Sequence, residues 1–139
     1  VIYVPDFDEL NQDAFDEVMA WTYFAKHTTL WVDELMEVAP SPQTYPKHLK
    51  ALYSRGRSRH SSVWALTQRP MDIPAMCMAQ STHFFIYNLQ QPQDREKVAK
   101  ATGAPEFLEK PSSYGERNFW YFRDGWESPV KATIVLKAA

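Results

Sequence analysis

Two short apolar runs in this chain each stop abruptly at residues equipped for phosphate chemistry. Thr29-Leu30-Trp31-Val32 runs into Asp33-Glu34, and Val63-Trp64-Ala65-Leu66 runs into Thr67-Gln68-Arg69-Pro70. In a parallel sheet, strand C-terminal ends line the crevice where ligands sit. Asp33 could hold magnesium through water, because that ion gives up its hydration shell reluctantly. Glu34, one residue on, could orient or deprotonate an attacking water. Gln68 offers an amide able to touch both a phosphate oxygen and that water. Between the two runs lies Arg55-Gly56-Arg57-Ser58-Arg59-His60. Guanidinium groups suit phosphate because the planar fork matches its oxygens and its charge never titrates. Arg57 and Arg59 are therefore candidates, either for a phosphate in a neighbouring subunit's site or for a nucleic-acid backbone, and Arg69, beside Gln68, is a candidate for touching a phosphate. Each residue also has a plainer reading. Acids solvate loops, an amide caps a strand end, and cations complement the dipole at a helix C-terminus.

These residues need elements to position them. Val1 to Val4 reads as a buried strand closed by Pro5-Asp6. Asn11 is a suitable N-cap for a helix over Gln12 to Lys26, with Ala14, Val18, Trp21 and Ala25 at helical spacing on one face. Thr29–Val32 is the second strand. After the turn-rich Ala39-Pro40-Ser41-Pro42, Pro46 suits the first turn of a helix to about Arg59, with Leu49, Leu52 and Tyr53 inward. Val63–Thr67, a short helix over Pro74–Gln80 and the strand His83–Tyr87 follow. Pro92-Gln93-Asp94 opens a helix ending near Gly103. Phe119–Phe122 and Val130–Leu136 flank Asp124-Gly125 as an antiparallel hairpin, spanning about 118–137. Alternation of strand and helix makes the class α/β with a mostly parallel sheet, in one domain over 1–139.

Composition narrows the setting. The chain has 139 residues, and a net charge of −2 exerts no global pull on nucleic acid, so any such contact must come from a local patch. Cys77 is the only cysteine, which excludes an intrachain disulfide and suits a reducing compartment. No apolar stretch is long enough to span a bilayer. His27, His48, His60 and His83 share no ligand spacing. Met71, Met76 and Met78 read as gap-filling packing. Trp120, Tyr121, Phe122 and Trp126 could stack on bases, but alternating aromatics are what a half-buried strand requires.

The linked order of these motifs resembles the HerA/FtsK superfamily of P-loop DNA-pumping ATPases. The residues that carry it are Gly56-Arg57, Leu66-Thr67-Gln68-Arg69-Pro70, Asp72-Ile73-Pro74 and Pro92-Gln93-Asp94-Arg95-Glu96. Trp31-Val32-Asp33-Glu34 matches the Walker B motif, and Phe119 to Val135 resembles the C-terminal hairpin of HerA-like members. The resemblance implies a RecA-like core that uses ATP and magnesium, with Asp33 at the metal, Glu34 as catalytic base and Gln68 as phosphate sensor. Arg57 would act across a subunit boundary, with Arg59 and Arg69 as further phosphate contacts. It implies a ring of like subunits, a hexamer, acting on double-stranded DNA in a cytoplasm or on a virion. A viral portal or a membrane-associated assembly is a further partner, and the minimal tail points to genome packaging. His60 departs from the pattern, standing about where many relatives have glycine.

A larger departure is an absence. No Gly-x-x-x-x-Gly-Lys-Ser/Thr string occurs, and the chain has only four glycines. Without that string no backbone cradle holds the phosphates. The expectation is that the chain starts after the phosphate loop and the first strand, and that alone it is inactive. In the order 5-1-4-3-2 that the resemblance implies, the missing strand lies between Val63–Thr67 and His83–Tyr87. Those two strands should therefore not pair with each other. Two other readings compete: a filamentous-phage assembly ATPase of the zonula-occludens-toxin type, and an ATPase-like interaction module that hydrolyses nothing.

Overall fold

The computed structural model describes residues 2–110 and 117–135. The chain divides into two compact units, Val1–Gln80 and Ser81–Ala139.

In the first unit, helix α1 spans Gln12–Ala25, and the Asn11 side chain accepts from the Ala14 N–H at 3.0 Å, closing the N-terminus as its residue type predicts. Strand β1 is Thr29–Val32, followed by a one-turn helix α2, Leu35–Val38. Helix α3, Lys47–Arg55, passes into a 3-10 turn, Gly56–Arg59, and then into strand β2, Ser62–Ala65. Helix α4 is Ala75–Ala79. Strands β1 and β2 pair in parallel, with Thr29 opposite Ser62 and Val32 opposite Ala65. Helices α1 and α3 pack on each other and reach β1 and β2 respectively. Leu35, Leu49, Leu52, Ile73, Cys77 and Met78 form the buried centre.

Two sequence expectations need correction here. Ile2 to Val4 form no strand; Ile2 is 91% and Val4 78% exposed, and no described strand pairs with them. Val1 lies outside the described residues. The inner face of α1 is also displaced by one position. Phe15, Met19 and Thr22 are buried, whereas Trp21 is 59% exposed. The cause is polar residues within the buried stripe. Thr22 satisfies its hydroxyl on the Val18 carbonyl at 3.1 Å. Asp16 meets α3, where its carboxylate accepts from the His48 N–H at 2.7 Å and contacts His48 Nδ1 at 2.8 Å. Pro46, at the N-cap of α3, makes no side-chain cap, so Asp16 supplies one from another helix.

The second unit begins with strand β3, His83–Ile86, and helix α5, Pro92–Thr102. Pro92 sits in the first turn of α5 and Gly103 closes it at φ 74°. Arg95 donates to the carbonyls of Leu89 (2.7 Å), Gln90 (2.9 Å) and Leu108 (2.9 Å), tying the loops on either side of α5 to the helix. Strands β4, Asn118–Arg123, and β5, Val130–Thr133, form the expected hairpin. Residues 136 and 137 of that expectation lie outside the described residues. β4 also pairs antiparallel with β3, which gives a three-stranded sheet in the order β3-β4-β5. Trp120 and Phe122 are buried and meet Phe107 edge-on, so half of the aromatic tail is core. Among the described residues β2 pairs with β1, and β3 with β4.

The Asp16 cap yields a test. Burial works against the charged form of Asp16. The hydrogen bonds from His48, its charge and that of Lys47 outweigh burial and hold the carboxyl below its ordinary range. A carboxyl lowered by folding contributes stability that is complete above its unfolded pKa and lost as pH falls through the folded one. Asp16→Ala should lower stability by about 1–2 kcal/mol at neutral pH, the range for losing a capping side chain. Denaturant melts at descending pH should show that difference shrinking below the usual carboxylate range. Asp16→Asn, which keeps an acceptor for the His48 N–H, should lose less.

Candidate functional site

The in-register pairing of β1 with β2 brings the two strand ends together. Beyond the strands, the Leu66 N–H donates to the Val32 carbonyl at 2.9 Å, and the Leu35 N–H donates to the Leu66 carbonyl at 2.6 Å. The backbone on either side of Asp33-Glu34 is therefore bonded to the residue just before Thr67-Gln68. Asp33 and Gln68 are exposed, and Glu34 is half-buried. Two carboxylates and an amide emerge at the C-terminal edge of one parallel pair, where such a sheet binds ligands.

Glu34 carries two features that its sequence position does not reveal. Its backbone is left-handed, φ 60° and ψ 78°. One carboxylate oxygen, Oε1, is buried without a hydrogen-bond partner. A non-glycine residue held in this region costs of order 1–3 kcal/mol, and such residues cluster at functional sites. An unpartnered buried acceptor adds a desolvation penalty. The fold therefore holds this acid in place at an energetic cost, against the local preference of its backbone. Leu35 underlies the arrangement: it is 1% exposed, and its N–H is the one bonded to Leu66.

The three arginines are placed differently. Arg69 lies beside Gln68, where its N–H donates to Thr67 Oγ1 at 3.1 Å and its guanidinium faces Asp72 at 3.6 Å. An exposed ion pair of this kind is weak. Arg57 and Arg59 lie in the turn that precedes β2, at the opposite end of the strands from Asp33. Four strand residues separate the ends by roughly 10 Å. Arg59 stacks over Tyr23 at 4.2 Å and faces Phe24 at 5.6 Å, so it anchors the turn to α1. Arg57 is exposed. The structure thus gathers Asp33, Glu34, Gln68 and Arg69 at one end of the sheet and leaves Arg57 and Arg59 at the other.

The Gly56-Arg57 pair and the departure at His60 both have a backbone reason. Gly56 is buried, and a Cβ there would lie 2.8 Å from the Ser61 carbonyl oxygen. The Ser61 N–H returns to the Gly56 carbonyl at 2.9 Å. Only glycine permits that tight return. His60 stands at φ 56° and ψ 29°, a left-handed position that glycine adopts freely. Lys26 and His27, for which the sequence suggested no site role, join this end. The His27 N–H donates to the Arg59 carbonyl at 3.1 Å, and its ring stacks on His60 with centroids 4.7 Å apart. The signal available was their place just before β1, given a parallel register with β2.

Neither a protein-family model nor a curated protein matches the chain. Solved structures do. The genome packaging NTPase B204 from Sulfolobus turreted icosahedral virus 2, in complex with ATP-gammaS, matches with a TM-score of 0.77 at 14% identity, over 97% of this chain and 74% of that one. Its AMPPCP complex gives 0.78 at 16% identity over 92% and 64%, and its AMP complex 0.73 at 14% over 98% and 67%. The chain shares the fold of this NTPase. It spans 64% to 74% of the length of those chains. Among the described residues, no helix is long and apolar enough to cross a membrane.

The strain at Glu34 predicts that relieving it raises stability. Glu34→Gly should raise stability by about 1 kcal/mol, by relieving the left-handed backbone and removing the unpartnered oxygen. Thermal melts should show a higher midpoint than wild type. An unchanged or lower midpoint would mean that the strain is not stored there.

Proposed function

We propose that this chain is the Walker B and sensor part of an ATP-hydrolysing motor. The motor translocates or packages double-stranded DNA as a ring of like subunits. One observation carries the reading: Asp33, Glu34 and Gln68 emerge together at the C-terminal edge of the β1–β2 pair, with Glu34 strained and one of its oxygens unpartnered. The fold shared with a packaging NTPase bound to ATP-gammaS and AMPPCP supports it. A hexamer working in the host cytoplasm or on the virion, engaged with a portal, is the assembly this reading favours.

The donor set fits a hydrated magnesium ion. Asp33 is exposed at a strand end, and among the described residues no three of His, Cys, Asp and Glu converge on a point. Magnesium commonly takes one or two carboxylates and completes its shell with water and phosphate oxygens. Bound at Asp33, it would neutralise charge on the phosphates. The remaining work falls to the chain's own groups. Glu34 accepts the proton of the attacking water on its carboxylate. Gln68 donates its amide N–H groups to a phosphate oxygen while its carbonyl orients that water. Arg57 reaches the terminal phosphate held by a neighbouring subunit. The phosphate cradle itself must come from chain outside these 139 residues, since no loop of that pattern occurs within them. Support for added chain on this sheet comes from Trp31 and Trp64, stacked at 6.3 Å and 60% and 48% exposed, because both faces of a parallel sheet are normally covered.

Glu34→Gln in the full-length protein should bind ATP within a few-fold of wild type and lose at least ~100-fold in turnover, the usual contribution of a positioned base. Single-turnover hydrolysis and nucleotide titration separate the two quantities, and hydrolysis near the wild-type rate would remove Glu34 from the role.

The trans assignment of Arg57 has its own test. Homogeneous rings of Arg57→Ala or of Glu34→Gln should each be inactive. Mixing them creates interfaces that pair an intact base with an intact arginine, so hydrolysis should partly return. Absence of recovery at every ratio, with ring assembly verified by light scattering, would overturn it.

A further inference from the structure

Charge is distributed unevenly along the first unit. No acid occurs between Glu17 and Asp33, nor between Glu37 and Asp72, although those stretches hold Lys26, Lys47, Lys50, Arg55, Arg57, Arg59 and Arg69. Against a net charge of −2 for the whole chain, this is a pronounced local excess of cations. The fold concentrates part of it. The connection before β1 and the turn before β2 are laced together by the His27 N–H to the Arg59 carbonyl and the Ser62 N–H to the Thr28 carbonyl at 3.0 Å. Lys26, His27, Arg55, Arg57 and His60 therefore come from two adjoining connections at one end of the sheet, and all five are exposed. Among the described residues no carboxylate forms an ion pair with Lys26, Arg55 or Arg57.

Two features separate this cluster from an ordinary solvated helix end. The dipoles of α1 and α3 account for cations at Lys26 and Arg55, and neither accounts for Arg57, which lies inside the 3-10 turn. The second feature is strain. Among the described residues the non-glycine positions with positive φ are Lys26 (57°), His27 (46°), His60 (56°) and Glu34. One of these is the candidate catalytic acid, and the other three belong to this cluster. Strained positions persist where the surrounding structure over-determines them, and functional surfaces are where they gather.

We infer that Lys26, His27, Arg55 and His60 form a contact surface for the phosphodiester backbone of duplex DNA. It lies at the end of the β1–β2 pair opposite the catalytic acids. The inference rests on the motor reading for the identity of the polyanion, and Arg57 keeps the role given to it above. The surface offers point charges and no sequence-reading groups in a groove, so its contribution is electrostatic and independent of base sequence.

The experiment is duplex binding by the full-length protein, read as fluorescence anisotropy of a labelled duplex of random sequence over a salt series. Each phosphate contact contributes about 0.9 to the slope of log affinity against log salt. Lys26→Ala/Arg55→Ala should therefore reduce the slope by about 2 and weaken binding at least tenfold at low salt. Lys26→Arg/Arg55→Lys, which keeps both charges, should restore the slope. His60→Gly, which relaxes the backbone but removes the ring, should weaken binding without unfolding. An unchanged slope in the folded double-alanine variant would overturn the surface. So would a double variant that loses ATP affinity while keeping its DNA slope, because the cations would then serve the nucleotide. A wild-type protein that binds duplex through these residues and hydrolyses no ATP would support the surface and sink the motor reading instead.

Discussion

The parallel pairing of β1 with β2 is the constraint on which the rest of the first unit depends. Only four residues pair on each side, from Thr29 with Ser62 to Val32 with Ala65. Backbone hydrogen bonds extend the ladder at both ends, to Thr28 and His27 before the strands and to Leu66 and Leu35 after them. A register slip of one residue would turn Val32 out to solvent and Trp31 into the core, because strand side chains alternate faces. It would also separate Asp33-Glu34 from Thr67-Gln68. Register and chemistry are thus set by one interaction.

Strain is distributed in step with that pairing. Left-handed backbone occurs at Glu34 on the acid side and at Lys26, His27 and His60 on the basic side, where the chain must turn sharply into or out of the paired strands. Buried neighbours supply the force. Leu35 is sealed beneath Glu34, and Gly56 lets the turn before β2 close against Ser61. Arg59, stacked on Tyr23, fastens that turn to α1. The Asp16–His48 pair fixes α1 to the start of α3, and α3 carries the basic turn at its far end. In the second unit Arg95 does comparable work by collecting three loop carbonyls, which gives the Asp-Arg start of α5 a structural reason.

Much of this was legible in the sequence because it is local. Asn11 announced α1, Pro92 and Gly103 bounded α5, and an Asp-Gly turn between aromatic runs announced the hairpin. The candidate acids and Gln68 were legible because apolar runs ending in polar residues mark strand ends. The inner face of α1 was misread because Asp16 and Thr22 are polar yet face inward, and their satisfaction depends on partners that a periodicity cannot contain. The opening strand was misread because an apolar tetrad is only a strand when another strand accepts it, and none of those described does.

The sequence by itself therefore determined the types of group present, their order along the chain, and the helix and turn boundaries, since propensity and capping act over a few residues. Tertiary structure alone decided which groups meet. It joined Glu34 to the Leu66–Gln68 segment, placed Arg57 and Arg59 at the far end of the sheet, and brought Lys26 and His27 beside them. It also paired β3 with β4 and β2 with β1. The physical reason is common to all of these. Strand pairing and buried carboxylates are satisfied by residues tens of positions away, and only packing selects which of them arrive.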